Sequence, residues 1–394
     1  MKIVIAPNAF KGTMTAGEAA EAMAKGIRKV LNNAEIIVAP VSDGGDGSLD
    51  TLIDILNGER CSSIVNGPLG EPVEAEWGII NNGNTVFIET ARAFGLTLVP
   101  FHRRDPGITT SKGIGDIINS GLDLGIRDFI VAVGGSANND GGTGMMKALG
   151  VRFLDKNGNN LKEGGLDLKR LNKIDISKMD PRVEESKFMV LSDSTVPLTG
   201  STGVSIMYSP GKGASIETAY ELDKALVNYA DVIFKQFKLD VKTAPCGGSG
   251  GGIVCAAQVF WSNVALALGI DYVLKKIKFN AIITGADLVI TGEGCIDEQT
   301  IYNKAPIGVA RWAKRNSIPV LGICALVGSG YKEVYNNGMD GLVVISGKKG
   351  WVKENTIVTD KMITDATVDV FKQLKNIINR ENMGFPIKKR YYRE

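Results

Sequence analysis

Short apolar runs alternate with helical segments at the start of the chain. The segments "KIVIAP" and "EIIVAP" are predicted strands, and each is followed by residues whose apolar positions keep helical spacing. The first helix is predicted to begin after Thr15, because Thr15 and Glu18 form a capping-box pattern. This alternation is typical of a parallel sheet that has helices on its faces.

The alternation returns near the other end of the chain. There "ADLVIT", "IPVLGI" and "GLVVIS" are predicted strands, and "PIGVARWAKRN" is a predicted helix with Pro306 in its first turn. The middle differs, since paired apolar runs around the Asn- and Gly-rich "NNGN" predict a hairpin. We therefore predict an α/β protein, with a parallel-sheet domain built from residues 1–60 and 285–394 and a mixed α+β domain inserted at 61–284.

Charge and hydropathy exclude several classes of function. The chain carries 45 Lys and Arg residues against 43 Asp and Glu residues, well mixed, for a net charge of +2. Nucleic-acid binding needs a more concentrated basic surface. No apolar stretch approaches the roughly 18 residues of a membrane span, and the start lacks a signal-peptide pattern. We expect a cytoplasmic protein without nucleic-acid or membrane partners, and a homo-oligomer is compatible with the sequence.

The cysteine and histidine content limits which metal sites and catalytic mechanisms the chain can have. The five cysteines are scattered and form no CxxC pair, so they are expected to be reduced thiols. The single histidine, His102, lies in a predicted surface loop, which disfavours a histidine metal site and a Ser-His-Asp triad. Catalysis is therefore expected to depend on carboxylates, lysines and backbone amides.

Glycine-rich loops follow the predicted strands. Glycine accounts for 48 of the 394 residues, about 12% against a usual share of roughly 7%. Ligands of open parallel sheets bind at the carboxyl ends of the strands, so charged and polar residues there are candidates for a site. The candidates are Asn8, Lys11, Asp43, Asp46, Asp140, Asp193, Lys212, Glu293, Asp297 and Lys304.

This mixture of residues favours phosphoryl transfer. Glycine loops that lead into helices offer N–H donors to phosphate. A bound Mg²⁺ allows carboxylates to lie near phosphate, because the cation offsets the repulsion between them. Lysines offset the remaining charge on a transferring phosphoryl group. Hydride transfer is disfavoured because no complete GxGxxG pattern is present, and no GxxxxGK[ST] pattern occurs either. Taken singly, Asp43 and Asp140 also fit turns, and Lys212 and Lys304 also fit a solvated surface. The residues alone indicate an α/β enzyme that binds phosphate or another anion.

Six stretches of the chain resemble the bacterial glycerate kinase family, whose members phosphorylate glycerate with ATP. They follow the family's order from residue 1 to about 345: "KIVIAPNAFKG", "PVSDGGDGS", "NGPLGEPVEAEWG", "GGSANNDGGTGM", "SPGKGA" and "LVITGEGCIDEQT". The resemblance implies a flavodoxin-like domain formed by both chain ends, a second inserted domain, and an active site in the cleft between them. It also implies ATP and Mg²⁺ as cofactors and 2-phosphoglycerate as the product.

The resemblance further implies roles for individual residues. Lys11, Asp43, Asp193 and Glu293 are expected to be catalytic, with Asp193 or Asp43 as the base or a Mg²⁺ ligand and Glu293 as a further Mg²⁺ ligand. Substrate or phosphate binding is implied for Asn8, Asp46, Gly134, Gly135, Ser136, Asn139, Asp140, Gly141, Gly142, Lys212, Asp297 and Lys304. The backbone amides of the four glycines are expected to bind the anion, with Asn139 and Asp140 aimed at it. Gly141→Val is expected to abolish turnover in a folded protein.

The chain departs from the family pattern in its loops. Asn8-Ala9 stands where the family usually has Asp-Ser, Cys295 replaces an arginine, Val196 replaces an asparagine, and Gly211 replaces a glutamine. Arginine can bind a carboxylate through two hydrogen bonds, which cysteine cannot. The leading prediction is an ATP-dependent glycerate 2-kinase. The alternatives are a kinase of another small hydroxy acid and a non-catalytic paralogue that binds a nucleotide or metabolite.

Overall fold

The computed structural model describes residues 1–10, 12–45, 47–345 and 357–382, so Lys11 and Asp46 lie outside the described residues. Contacts between Cα atoms divide the chain into two compact units. Unit 1 comprises Met1–Ser42 and Val273–Glu394, and unit 2 comprises Asp43–Tyr272. The predicted domain limits, 60/61 and 284/285, lie elsewhere, and the assignment of domains stays a prediction.

Strands and helices alternate through most of the described chain. The strands are β1 (Lys2–Ile5), β2 (Glu35–Val38), β3 (Glu59–Asn66), β4 (Pro72–Ile80), β5 (Thr85–Glu89), β6 (Asp128–Ala132), β7 (Arg152–Leu154), β8 (Lys173–Asp175), β9 (Lys187–Leu191), β10 (Val264–Ala267), β11 (Leu288–Ile296), β12 (Val320–Val327) and β13 (Gly341–Val344). The α-helices are α1 (Ala16–Arg28), α2 (Ser48–Leu56), α3 (Thr90–Phe94), α4 (Lys112–Asp123), α5 (Thr143–Ala148), α6 (Pro181–Glu184), α7 (Val204–Tyr208), α8 (Ile216–Phe237), α9 (Ser249–Phe260), α10 (Gly269–Lys276), α11 (Phe279–Ile283), α12 (Ala305–Arg315), α13 (Glu333–Asn336) and α14 (Asp360–Asn382). Short 3₁₀ helices lie at Leu96–Leu98, Phe101–Arg103, Gly165–Arg170 and Pro210–Lys212. Among the described residues, no helix is both long enough and apolar enough to cross a membrane.

Unit 1 contains a five-stranded parallel sheet in the order β13-β12-β11-β1-β2. Counted along the chain within this unit alone, the order reads 5-4-3-1-2, which is the flavodoxin-like order. The predicted strands at both chain ends are confirmed, and so is their parallel arrangement. The order reverses between β1 and β11, and such a switch point is where open α/β sheets bind ligands.

The predicted capping box is also confirmed. The backbone N–H of Glu18 donates to the Thr15 hydroxyl oxygen over 3.2 Å, and the N–H of Thr15 donates to Glu18 Oε2 over 2.8 Å. Helix α1 buries Met23 and Ile27 in the core of unit 1. It approaches α14 closely at Gly26, where a Cβ would lie 2.6 Å from that of Thr367. Both chain ends therefore contribute to one core.

Unit 2 contains a six-stranded mixed sheet in the order β10-β9-β6-β5-β4-β3. The strands from β10 to β5 are parallel, while β4 pairs antiparallel with both β5 and β3. The predicted hairpin corresponds to β4 and β5. Strands β7 and β8 form a separate antiparallel pair. The carboxyl ends of β5, β6, β9 and β10 consequently share one edge of the larger sheet.

Helix α2 differs from its prediction. The N-terminal alternation predicts that α2 covers the first sheet, but α2 belongs to unit 2, where Leu49 and Ile53 pack against Gly78 of β4. Gly78 leaves room for these side chains, and a local pattern cannot indicate a contact so far along the chain. The helix ends at Leu56, and its C-cap residue Asn57 adopts the left-handed conformation with φ 47°.

Candidate active site

The loop after β6 begins with a glycine turn at the carboxyl edge of the unit 2 sheet. Gly135 is exposed and has φ 59°, a conformation that favours glycine. Within the described part of the chain, the backbone N–H groups of Gly135 and Ser136 have no acceptor. The turn therefore holds two backbone donors without a partner among the described residues, and the one on Gly135 belongs to an exposed residue that an anionic ligand can reach.

The other three glycines predicted to bind phosphate use their amides inside the protein. Gly134 donates to the Thr90 hydroxyl over 3.2 Å, and Gly141 donates to the carbonyl oxygen of Gly251 over 2.8 Å. Gly142 donates to Asp140 Oδ1 over 3.0 Å. Of the four predicted amide donors, Gly135 alone is open to a ligand in this arrangement.

Asp140 is fully buried, and both of its carboxylate oxygens accept hydrogen bonds from the protein. Oδ2 accepts from the Ser111 N–H, the Ser111 hydroxyl and the Gly144 N–H, over 2.9, 2.8 and 3.1 Å. Oδ1 accepts from Asn138 Nδ2 over 2.7 Å and from Gly142. Asp140 thus caps the start of α5 and fixes the loop, and five donors from the protein satisfy its carboxylate oxygens.

Lys212 lies behind the glycine turn, in the 3₁₀ helix Pro210–Lys212, with only 9% of its surface exposed. Its Nζ donates to the carbonyl oxygen of Asn138 over 2.7 Å and to the Ser136 hydroxyl over 3.2 Å. Burial lowers the pKa of the Lys212 ammonium to about 8, and the negative charge of Asp140 opposes this shift. A buried ammonium beside two open N–H groups forms a candidate anion site.

Asn139 is fully buried and donates from Nδ2 to the Ser205 hydroxyl over 2.8 Å. Its Oδ1 has no hydrogen-bond partner, and neither does the buried hydroxyl of Ser209. Buried polar atoms of this kind are commonly satisfied by internal water. The Asn139 side chain is thus buried inside the protein and hydrogen-bonded to Ser205.

Asp193 follows β9, which ends at this edge, whereas Asp43 follows β2 of the unit 1 sheet and is itself the first residue of unit 2. Asp43 Oδ1 accepts from the Gly45 N–H over 3.1 Å, which is the turn that the sequence left open as an alternative. Gly44 packs against Leu191, two residues before Asp193. Both carboxylates are half-buried, and both lie beside the loop that follows β6.

The DGGDG loop, residues 43–47, leads into α2, but the start of this helix is already occupied. Glu89 at the end of β5 accepts from the Gly47 N–H over 3.1 Å and from the Leu49 N–H over 2.9 Å. The sequence predicts that such a loop offers its helix N–H groups to phosphate. In the structure the carboxylate of Glu89 takes two of them.

In unit 1, Glu293 lies within β11, and Asn8 follows the neighbouring strand β1 on the other side of the switch point. The N–H of Asn8 donates to the carbonyl oxygen of Gly292 over 2.8 Å. Glu293 is 7% exposed, and its Oε1 accepts from the Thr300 hydroxyl over 2.9 Å. Thr300 in turn accepts from the Asp297 N–H over 3.1 Å, so one buried hydroxyl fixes both acidic positions.

Lys304 and Cys295 complete this part of unit 1. Lys304 is half-buried at the start of α12, and Cys295 is exposed on β11. Partial desolvation by neighbouring groups raises the pKa of the Cys295 thiol, the charges of Asp297 and Glu293 raise it further, and Lys304 opposes them. The described residues include no cluster of three or more acidic, cysteine or histidine side chains that would suit a metal ion. Mg²⁺ needs only one or two carboxylates when phosphate supplies other ligands.

Comparison with known proteins identifies the family. The model of the glycerate kinase family matches residues 3–375. This chain belongs to the glycerate kinase family. It is 43% identical to the glycerate kinase of Halalkalibacterium halodurans (86% of this chain, 89% of the relative) and 43% identical to the glycerate 2-kinase of Escherichia coli K12 (90% and 93%). It also matches the crystal structure of a candidate glycerate kinase 2 from Salmonella typhimurium LT2, with TM-score 0.79, 38% identity and coverage of 98% and 99%.

The departures from the glycerate kinase pattern have different structural consequences. Gly211 is exposed beside Lys212, with open space where a Cβ would stand. Val196 packs against the unit 2 core, and its carbonyl oxygen accepts from the Gly248 N–H. Cys295 stands among charged side chains, where an arginine would meet Glu293 and Asp297. The change at Cys295 therefore alters local charge, and the change at Gly211 alters only exposed surface.

Sequence reasoning missed four residues of this glycerate kinase: Glu89, Thr90, Ser111 and Thr300. Each forms hydrogen bonds to a predicted loop or carboxylate, and the positions of Glu89, Thr90 and Ser111 are distinguished by no motif. Thr300 alone carried a local signal, since it follows Asp297 by three residues, a spacing common in polar turns.

Proposed function

We propose that this chain transfers the γ-phosphoryl group of ATP to a hydroxyl of glycerate, giving 2-phosphoglycerate and ADP. The observation that carries the proposal is the ammonium of Lys212, buried behind the Gly135–Ser136 turn and hydrogen-bonded to Ser136 and the carbonyl of Asn138. A desolvated positive charge beside two open backbone amides binds a carboxylate or phosphoryl oxygen strongly. Both substrates of a glycerate kinase carry such oxygens.

Asp43 and Asp193 supply the carboxylates of the reaction in unit 2. The attacking hydroxyl oxygen forms a bond to the γ-phosphorus, the bond from that phosphorus to the β–γ bridging oxygen breaks, and the hydroxyl proton passes to a carboxylate base. One of the two aspartates is the base and the other a Mg²⁺ ligand. Mg²⁺, when bound, neutralises charge on the phosphate oxygens.

Unit 1 contributes a second group of candidates. We assign Glu293, oriented by Thr300, as the alternative Mg²⁺ ligand and Lys304 as a cation for phosphate. Asn8 and Asp297 stay predicted substrate-binding residues. Lys11 and Asp46 stay predictions from the resemblance, since they lie outside the described residues.

ADP formation is the direct test. Purified protein with Mg-ATP receives D-glycerate, L-glycerate and related hydroxy acids in turn, and turnover with a glycerate enantiomer is expected. Asp43→Asn and Asp193→Asn separate the two roles, because loss of the base lowers kcat by about 10²- to 10⁴-fold at every Mg²⁺ concentration. Loss of a metal ligand instead raises the Mg²⁺ concentration needed for half-maximal rate.

Asp175 provides a matched control for these variants. It accepts a hydrogen bond from the Ser177 N–H in a turn like that of Asp43, but it lies on the separate pair of β7 and β8. Asp175→Asn is expected to keep full turnover. Absence of ADP formation with every acid tested would refute the proposed activity, and stabilisation by ATP in that case would support the non-catalytic paralogue.

A kinase of another hydroxy acid is the second candidate, and Asn8 and Cys295 favour it. Both positions carry residues with less charge than the family pattern at strand ends of unit 1. If they set specificity, Cys295→Arg lowers KM for glycerate and raises it for the preferred acid. Equal effects on all acids would refute this candidate.

We also propose a cytoplasmic location. None of the five cysteines forms a disulfide, and Cys255 and Cys324 are buried as thiols. Free thiols distributed in this way are typical of proteins from reducing compartments. Fractionation of cells that produce the protein tests the proposal.

A further inference from the structure

We propose that Glu89 and Thr90, adjacent residues at the carboxyl end of β5, are positioning residues that hold two loops of the reaction site in register. The loops are the DGGDG loop and the glycine turn after β6. This inference rests on the proposed function for its effect on catalysis, whereas the structural part is open to a separate test.

Glu89 holds the first loop. Helix α2 begins after Gly47, which has φ 85° and offers no side-chain cap. The carboxylate of Glu89, 3% exposed, supplies the cap by accepting from the N–H groups of Gly47 and Leu49. A carboxylate at a helix N-terminus satisfies unpaired donors and interacts favourably with the helix dipole.

Thr90 holds the second loop. Its hydroxyl accepts from the Gly134 N–H over 3.2 Å and lies 3.1 Å from the Gly134 carbonyl oxygen, to which it can donate. The two loops also touch, since a Cβ at Gly134 would lie 2.9 Å from the Cα of Gly45. Two consecutive residues, the last of β5 and the first of α3, therefore fix the proposed carboxylate loop against the proposed anion site.

Arg92 and Glu76 surround this arrangement and supply its control. Arg92 Nε lies 3.5 Å from Glu89 Oε1, and its Nη1 donates to Glu76 Oε2 over 2.9 Å. Glu76 lies on β4, where it pairs with Arg60 and Arg92. Glu76→Gln and Glu89→Gln each remove a carboxylate partner of Arg92, which also pairs with Asp50 of α2, but only Glu89→Gln alters the acceptor of the Gly47 and Leu49 N–H groups.

The consequence for catalysis is positional. The carboxylate of Glu89 accepts hydrogen bonds from the N–H groups of Gly47 and Leu49. These two groups at the start of α2 are therefore not available to phosphate. The loop instead serves to place Asp43, four residues before Gly47. A displacement near 1 Å in a reacting group costs about 10²-fold in rate. Loss of the Glu89 cap is therefore expected to lower kcat more than it raises KM.

The experiment compares Glu89→Gln, Thr90→Val and Thr90→Ser with Glu76→Gln in the full-length protein. Kinetics with Mg-ATP and glycerate are measured beside amide hydrogen exchange of residues 43–49 and 134–136. Glu89→Gln is expected to lower kcat at least tenfold and to accelerate exchange at Gly47 and Leu49. Thr90→Val is expected to lower kcat to a similar extent and to accelerate exchange at Gly134. Thr90→Ser keeps the hydroxyl and is expected to retain the wild-type kcat and exchange rate.

Each remaining outcome decides the proposal. Equal kcat in Glu89→Gln and Glu76→Gln, or unchanged exchange in both loops, would overturn it. If Glu89→Gln does not fold, Glu89→Asp replaces it, since the shorter carboxylate keeps the charge but cannot reach both donors. A wild-type protein without turnover would refute the proposed function alone, because the exchange rates would still decide whether Glu89 and Thr90 hold the loops.

Discussion

Lys212 donates a 2.7 Å hydrogen bond to the carbonyl oxygen of Asn138, and this contact keeps its ammonium inside the protein. The neighbouring Ser136 hydroxyl is the second acceptor. A charged group with so little exposure loses most of its hydration. Its protonation is therefore linked both to folding and to the binding of an anion.

The first prediction concerns stability against pH. Burial lowers the pKa of Lys212 from 10.5 to about 8, so the unfolded chain binds more protons than the folded chain between these values. The free energy of unfolding of the wild type, relative to Lys212→Met, is expected to rise between pH 8 and 10.5, by up to about 3 kcal/mol. Urea unfolding at several pH values measures it, and a difference independent of pH would contradict it.

The second prediction concerns substrate binding against pH. As pH rises above about 8, Lys212 loses its proton and the anion site loses its charge. KM for the substrate bound there is expected to rise by up to about tenfold per pH unit. Lys212→Arg removes this dependence, because a guanidinium keeps its charge throughout the range. A wild-type profile that matches Lys212→Arg would exclude Lys212 as the titrating group.

The third prediction contrasts two buried aspartates. Asp140→Asn removes an acceptor from among five donors and is expected to cost about 3 kcal/mol of unfolding free energy, with loss of turnover. Asp155 also accepts from backbone N–H groups, those of Asn157 and Asn159, but away from the site. Asp155→Asn is expected to lose stability and to keep kcat within about twofold. Thermal unfolding and initial rates test the pair.

The fourth prediction revises the expectation for Gly141. Gly141 has φ 67°, and a Cβ there would lie 2.8 Å from Tyr229 Cε1, so Gly141→Val is not compatible with an undisturbed fold. Gly141→Ala is expected to cost about 3 kcal/mol, from backbone strain together with overpacking. Gly158 has φ 82° and open space around it, so Gly158→Ala isolates the backbone part, about 1 kcal/mol. Equal losses in the two variants would contradict the packing argument.

The fifth prediction concerns Thr300. Thr300→Val leaves Glu293 Oε1 and the Asp297 N–H without this partner, and kcat is expected to fall about tenfold. Thr300→Ser keeps the hydroxyl and is expected to retain most activity. If both variants lose activity equally, the methyl group rather than the hydroxyl supports Glu293.

Local patterns predict the strands and the capping box of Thr15 and Glu18. They end the strand that begins at Leu288 too early, because β11 runs on to Ile296 and therefore includes Glu293. Contacts between distant positions could not be predicted in this way. Glu89 accepts a hydrogen bond from Gly47, 42 residues earlier, and Ser111 bonds to Asp140 across 29 residues. The glycine amides were assigned to a ligand because their internal acceptors, such as the carbonyl of Gly251, are not visible in a motif.

The pairing of β1 in unit 1 has a consequence for how the protein is made. Ile3 bonds on one side to β2, available early, and on the other side to Leu288, which is synthesised 285 residues later. At a synthesis rate of about 5 to 20 residues per second, one edge of β1 stays without its partner for roughly 15 to 60 s, until β11 has been synthesised. During this time Ile3 and Ile5 offer an unpaired apolar edge to chaperones, and the last third of translation completes the first strand of the protein.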